Sequence, residues 1–397
     1  MTFEVGYAQE IITPSLARPV YLAGFGQNRA AETVHDDLYA RALALSLAEI
    51  QVVVMAVDLI GLGRHHCTEV EARLNAVAPG ATLVLSCTHT HHGPDTIGLW
   101  GPDVKTSGVD PAYIQSLKDK LVTAARSALD DLEPALMRAS SLPVTGLAKN
   151  ARAPEILDQE LACLQFCDPE EGGPLVNWLV YPCHPEVLGD QNPHITSDYL
   201  DATRREVEAE TSAPCLAMVG ALGGMMTPDV EQHTFAEAEQ MGQALARAAL
   251  EVLRDSPEAP VERLRHLRHE YIIPMTNPIF RIAMEGGFLP DLLNADGTVT
   301  TEANLLKVGP TWLFGVPGEL FPELGLAFKR QMLDAGAQVA AILGLTNDEL
   351  GYILPRDVFV YPDNPFEPGA HYEETMSMGP EAGPRLRAAL ETLLAQA

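Results

Sequence analysis

Cysteine is scarce and scattered: six residues, at 67, 87, 163, 167, 183 and 215, form neither a Cys-x-x-Cys pair nor a dense framework. That pattern excludes a disulfide scaffold and points to a thiol-reducing compartment, with Cys163 and Cys167 as core fillers. No stretch approaches about twenty apolar residues, so no membrane insertion is expected. The opening Met1-Thr2-Phe3-Glu4-Val5-Gly6 has no basic region followed by a long apolar one, the pattern of an export signal. Positive charge is also short, with 26 Lys and Arg against 54 Asp and Glu and a net charge of −28. Such a surface repels nucleic acid and anionic lipid, which argues against both as partners. Repeats and low-complexity tracts are missing. What remains is 47% apolar content, enough to bury the core of one large α/β domain. The expectation is a soluble cytoplasmic protein acting on a small molecule.

The most informative stretch is Leu83-Val84-Leu85-Ser86-Cys87-Thr88-His89-Thr90-His91-His92-Gly93-Pro94-Asp95, an apolar run that breaks into three histidines within four positions. A short continuous apolar run reads as a strand covered on both faces, and function in open α/β sheets collects beyond strand carboxyl ends. On extended backbone, i and i+2 side chains leave on the same side, so His89 and His91 converge on one metal ion or on the ion and its substrate, and His92 points away.

Along the chain, Val52 to Asp58 is a second buried strand, and Val70, Leu74 and Val77 mark a helix over Thr68 to Ala78. With Leu83 to Cys87 these make a βαβ unit. Asp58 ends its strand as a partner for an imidazole or as a cap or turn residue. Residues 111 to 132 form an amphipathic helix opened by Pro111. Glu160 to Phe166 and Leu175 to Tyr181 flank a Pro-Glu-Glu-Gly-Gly-Pro turn and read as a hairpin that delivers His184 at its exit. Helices follow over 198 to 211 and 234 to 254, and the loop Ser256 to Pro260 is the candidate internal boundary of what is otherwise one domain over 1–397. Trp312 to Val316 leads to Pro317-Gly318-Glu319, and Val339 to Leu343 leads to Tyr352. The fold class is therefore α/β, mixed sheets with βαβ units and hairpins flanked by helices. His89, His184 and Glu319 each follow a short apolar strand within a few positions, and Tyr352 follows a fourth; two imidazoles and a carboxylate are a catalytic zinc set with a position left open. Spacing alone does not gather residues this far apart.

At these residues the chain resembles the neutral ceramidase family, in consistent order over essentially its whole length. Thr88-His89-Thr90-His91-His92-Gly93-Pro94 is similar to the family's Thr-His-Thr-His-Ser-Gly-Pro. Further pieces are Tyr39-Ala40-Arg41-Ala42, Asn177-Trp178 leading to His184-Pro185, Pro317-Gly318-Glu319, and Asn347 leading to Gly351-Tyr352 with Tyr372-Glu373 beyond. The resemblance implies a zinc hydrolase that cleaves an amide by metal-activated water, with His89, His184, Glu319 and Tyr352 as ligands. It also implies that His91 and Arg152 contact substrate; His91 is then the general acid/base, and Arg152 or Thr227 stabilises the oxyanion or orients the substrate.

The chain departs from that pattern in three places. Gly224-Met225-Met226-Thr227-Pro228 replaces a Gly-Asp-Val-Ser-Pro turn, keeping the hydroxyl and losing the acid; His92 replaces a serine; and the chain stops at Ala397, before the family's C-terminal β-sandwich. With the acidic surface, these departures favour a small soluble amide over a membrane ceramide, with an ester or lactone as the alternative. A metallo-β-lactamase-like lactonase needs His-x-His-x-Asp-His, which Asp95 comes too late to supply, and an amidohydrolase barrel needs eight βα units where this chain has hairpins. A catalytically inactive binding protein is the non-enzymatic alternative, resting on the Gly-Met-Met turn.

Overall fold

Alternation of apolar side chains along the strands fixes how three sheets stack. The first sheet is built of Phe3–Ile11, Tyr39–Leu47, Ile50–Val57 and Thr82–Cys87, with Glu133–Pro134 at its edge. Leu43, Leu45, Val52, Val54 and Val84 face a core shared with the other sheets, and Ala42, Ala44, Val53, Met55, Leu83 and Leu85 face helices. The second sheet holds Leu136–Pro143, Glu160–Cys167, Pro174–Tyr181 and Cys215–Val219, and the third Leu264–Pro274, Thr298–Val308, Thr311–Gly315 and Val339–Leu343. The shared core takes Met137, Leu164, Trp178 and Leu216 from the second sheet and Leu306, Leu313 and Val339 from the third. Period-2 side-chain placement makes each of these strands two-faced, which is why near-continuous apolar runs were needed. The computed structural model describes residues 2–396 apart from Phe288, Pro290 and Asp291.

Helices close the outer faces. Arg64–Val77 and Pro111–Asp130 cover the first sheet, Tyr199–Thr211 and Phe235–Asp255 the second, and Pro322–Asp334 with Ala382–Gln396 the third. The expected βαβ unit is present, with Ile50–Val57 parallel to Thr82–Cys87, and so is the hairpin of Glu160–Cys167 against Pro174–Tyr181. The helix between the first pair starts at Arg64, one turn before Thr68. No local residue caps it, and the Arg64 amide instead donates to Asp348 Oδ1 at 2.9 Å, a cap supplied from nearly 300 residues away. The segment Ser256 to Pro260 is stitched to the second sheet, where the Ala259 amide donates to the Met137 carbonyl at 2.7 Å. No helix among the described residues is long and apolar enough to cross a membrane.

The carboxyl ends of the strands are tied to one another across sheets. The Asn347 amide donates to the Leu85 carbonyl, and its side chain accepts from the Leu85 amide and donates to the Leu83 carbonyl. Gly344 donates to the Val219 carbonyl, and Gly223 to that of Leu320. These cross-links bring the loops that leave all three sheets to one place.

Candidate metal centre

His89 follows Thr82–Cys87, yet it is not on extended backbone. The strand ends at Cys87 and His89 has φ +65°, in the left-handed region. The expectation that His89 and His91 converge through strand alternation is therefore corrected: the two imidazoles do meet, with ring centroids 5.0 Å apart, but through a turn. The turn is held by backbone bonds from Thr88 to the Val57 carbonyl and from His89 to that of Leu59. His92 points away, as expected from the sequence, to Arg29 and Asn192.

Each strand exit delivers its side chain in a fixed orientation. His89 Nδ1 lies 2.6 Å from the Ile60 carbonyl and His184 Nδ1 lies 2.8 Å from the Met226 carbonyl, so both rings carry their proton on Nδ1 and turn Nε2 inward. The two Nε2 atoms lie 3.4 and 3.1 Å from the same Glu319 oxygen, Oε2. Glu319 and Tyr352 are Cα partners in a two-residue parallel pair, Glu319–Leu320 with Tyr352–Ile353, and the Tyr352 hydroxyl faces Glu319 and the Met225 sulfur at 3.5 Å. The four residues expected as ligands thus lie together, with both imidazoles and the tyrosine hydroxyl facing Glu319. His91 joins them: donor atoms of His89, His91 and His184 all lie within 4.8 Å of one another.

The electrostatics fit a cation. Burial alone would raise the Glu319 carboxyl, but the imidazoles of His89 and His184 outweigh it and hold it at about 2. Burial would lower His184, but Glu319 and Glu186 outweigh it and lift the ring to about 9. A buried carboxylate flanked by two imidazoles carries a negative charge that a shared proton balances here and that a divalent ion could balance in its place. His91 behaves differently. Burial, then His89, His184, His92 and Arg29, push it well below the ordinary histidine range, so its ring is neutral. Its Nδ1 lies 3.2 Å from Glu186 Oε2, out of line for a hydrogen bond, and Phe25 meets the ring edge-on at 4.7 Å. Gly24 makes room for it, because a Cβ there would stand 2.3 Å from His91 Cγ.

Arg152 and Thr227 are placed otherwise. The Arg152 guanidinium is held by Glu373 at 2.7 Å and by both Glu374 oxygens at 2.8 and 3.0 Å, and it lies over the Phe321 ring. Thr227 sits in a short antiparallel pair opposite Lys149. Neither lines the cavity that opens on His89. The Gly224-to-Pro228 turn serves the cluster through its backbone: the Met226 carbonyl receives both the His184 amide and His184 Nδ1. Asp58 pairs with Arg204 at 2.9 and 3.1 Å, with both side chains buried, and accepts from the Tyr39 amide and Thr88 hydroxyl; it braces the turn before His89 and touches no imidazole.

The cavity has a volume of about 350 Å³. His89, His91, Glu319 and Tyr352 form its floor, and Ile97, Leu99, Trp100, Phe280 and Met284 supply apolar walls. Sequence reading passed over Glu186, Glu349 and the His65-His66 pair. The first stands two residues after His184, and the other two lie at the ends of stretches already marked by Asp58 and Tyr352, but only the assembled loops bring them to the site.

No protein-family profile matches the chain, and no curated protein does. Solved structures do. The neutral ceramidase from Pseudomonas aeruginosa superposes with a TM-score of 0.81 at 18% identity, over 100% of this chain and 74% of that one. The chain has a neutral ceramidase-like fold. A ceramidase complexed with C2 gives 0.80 at 17% identity, over 99% of this chain and 74% of its own.

Proposed function

We propose that the chain is a zinc-dependent hydrolase that cleaves an amide bond in a small soluble substrate carrying an apolar group. The observation that carries this reading is the pair of inward Nε2 atoms on one Glu319 oxygen at the floor of an apolar cavity. His89, His184, Glu319 and Tyr352 would hold the ion, a nitrogen-and-oxygen donor set suited to zinc. A bound zinc supplies Lewis-acid activation of water and of the scissile carbonyl.

The chain's own residues do the rest. His91, neutral and within reach of the cluster, accepts a proton from the attacking water and returns it to the departing amine, with Glu186 beside Nδ1 to balance the charge it gains. Ile60 and Met226 keep the two ligand rings from turning. The apolar walls take the acyl or alkyl part and exclude bulk water, and a volume near 350 Å³ suits a substrate at the small end of the range for ligand pockets. Thr227 and Arg152 act at a distance in this scheme, through the turn that holds His184 and through the Glu373-Glu374 segment beside Tyr372. Six buried free thiols fit a cytoplasmic setting.

The test is a zinc-replete panel of soluble N-acyl amides, aryl esters, lactones and dispersed ceramide. Amides should lead by kcat/KM; ceramide or lactones leading would overturn the substrate class, and failure to cleave any of them would overturn the hydrolase reading.

A further inference from the structure

Three polar atoms on residues that line the cavity are buried without a hydrogen bond; His91 Nδ1 has Glu186 beside it at 3.2 Å, and the other two lie on Glu349 and His66. Glu349 Oε1 accepts from the Gly351 amide at 2.9 Å, but Oε2 has no hydrogen bond, and the same is true of His66 Nδ1. Both residues line the cavity, where several other polar side chains are committed: Thr96 donates to the Gly61 carbonyl, Ser107 accepts from the Val109 amide, and Tyr352 faces Glu319. Glu349 is also fixed in place. It packs over Gly61, where a Cβ would stand 2.6 Å from Glu349 Cγ and 3.3 Å from Oε2, one residue from the carbonyl that orients His89. His66 lies against His65 with ring centroids 3.8 Å apart and planes tilted by 46°. Among the described residues no lysine or arginine lines the cavity.

Resting on the hydrolase reading above, we propose that Glu349 and His66 form a polar seat that selects substrates bearing a hydroxyl on the apolar part that enters the cavity. A hydroxyl both donates and accepts, so it satisfies Glu349 Oε2 in either protonation state and His66 Nδ1 in either tautomer. A plain alkyl chain would leave both atoms desolvated and unpaired, which is the situation in which a binding site rejects an analogue most strongly. A carboxylate on the substrate would face Glu349 with no cation to offset it.

The probes are four p-nitroanilides: hexanoyl, 3-hydroxyhexanoyl, 6-hydroxyhexanoyl and 6-aminohexanoyl. In zinc-replete wild-type protein at least one hydroxy compound should exceed the hexanoyl parent by about tenfold or more in kcat/KM. The ratio should fall to near one in Glu349→Leu and be largely kept in Glu349→Gln, whose carboxamide still accepts and donates. His66→Phe, on a partly exposed helical turn, should lower the same ratio and serves if Glu349→Leu does not fold. Cleavage without a hydroxy preference, or a preference that survives in folded Glu349→Leu or, where that variant does not fold, in His66→Phe, overturns this inference alone. The amino compound leading overturns it in favour of a cation seat. Cleavage of none of the four overturns the hydrolase reading as well.

Discussion

His89 and His184 occupy one kind of surrounding, and Arg152 and Thr227 another. Each histidine follows a strand of a large sheet, gives one ring nitrogen to a main-chain carbonyl and aims the other at Glu319. Arg152 leaves an irregular loop and spends its donors on Glu373 and Glu374, and Thr227 lies in a two-strand ladder whose nearest service to the site is the neighbouring Met226 carbonyl. Backbone partners cannot be lost by a change of rotamer, so the first pair is pre-oriented whatever occupies the centre. Carboxylate partners can be exchanged, so Arg152 is tuned by what surrounds it, while Thr227 is held by the backbone of its ladder. In the proposed scheme, the difference separates residues that hold the site's chemistry from residues that hold its frame.

Removing the first kind should break the site outright. His89→Ala, His184→Ala and Glu319→Ala should each empty the metal centre and abolish turnover, read by elemental analysis and by amide hydrolysis; full metal in both histidine variants would sink the ligand assignment. His91→Ala should keep the metal and lose on the order of 10²-fold in kcat, the value of one positioned acid/base. Metal loss in that variant would move His91 into the ligand set, which its distance to His89 and His184 allows. Arg152→Ala should act mainly on stability, by about 3 kcal/mol, since it strands two buried carboxylates; denaturant melts measure it. Thr227→Ala should cost only a few-fold in rate, and a covalent acyl group trapped on Thr227 would reverse the order of these two residues.

The smallest effect concerns acid. Burial first, with nearby cations adding to it, lowers His66 to about 4 and His92 to about 3, and burial lowers His266 to about 4. These folded values lie below the ordinary value near 6.5, so the stability tied to neutral rings is complete above pH 6.5 and is lost as pH falls toward 4. His266 bridges Thr82 of the first sheet and Asn304 of the third, each at 2.9 Å. His266→Gln should flatten the acid slope of stability by about one proton, or about 1 kcal/mol per pH unit near pH 5.

How far the sequence reached follows the same division. The apolar runs ending at Cys87, Tyr181, Gly315 and Leu343 were legible because a strand buried on both faces needs them, and residues just past such ends are carried to a shared edge by the sheets themselves. The left-handed turn at His89 was not legible, since nothing in Thr88-His89-Thr90 favours it over extended backbone; it is imposed by main-chain bonds to Val57 and Leu59. Asp58 could be narrowed only to an imidazole partner or a local cap, because its actual partner, Arg204, is 146 residues away. The early start of the Arg64–Val77 helix depends on Asp348 and was hidden for the same reason. Glu186 and Glu349 carry no local pattern at all, and they matter only once the loops are assembled.

The most direct measurement is the metal content of the purified chain, taken beside its hydrolysis of an N-acyl p-nitroanilide before chelation, after chelation and after return of zinc. About one zinc per chain, with activity that disappears and comes back with it, is the expected result. Undiminished hydrolysis by the metal-free chain, or a chain that binds no zinc after reloading, would contradict the metal centre on which the rest is built.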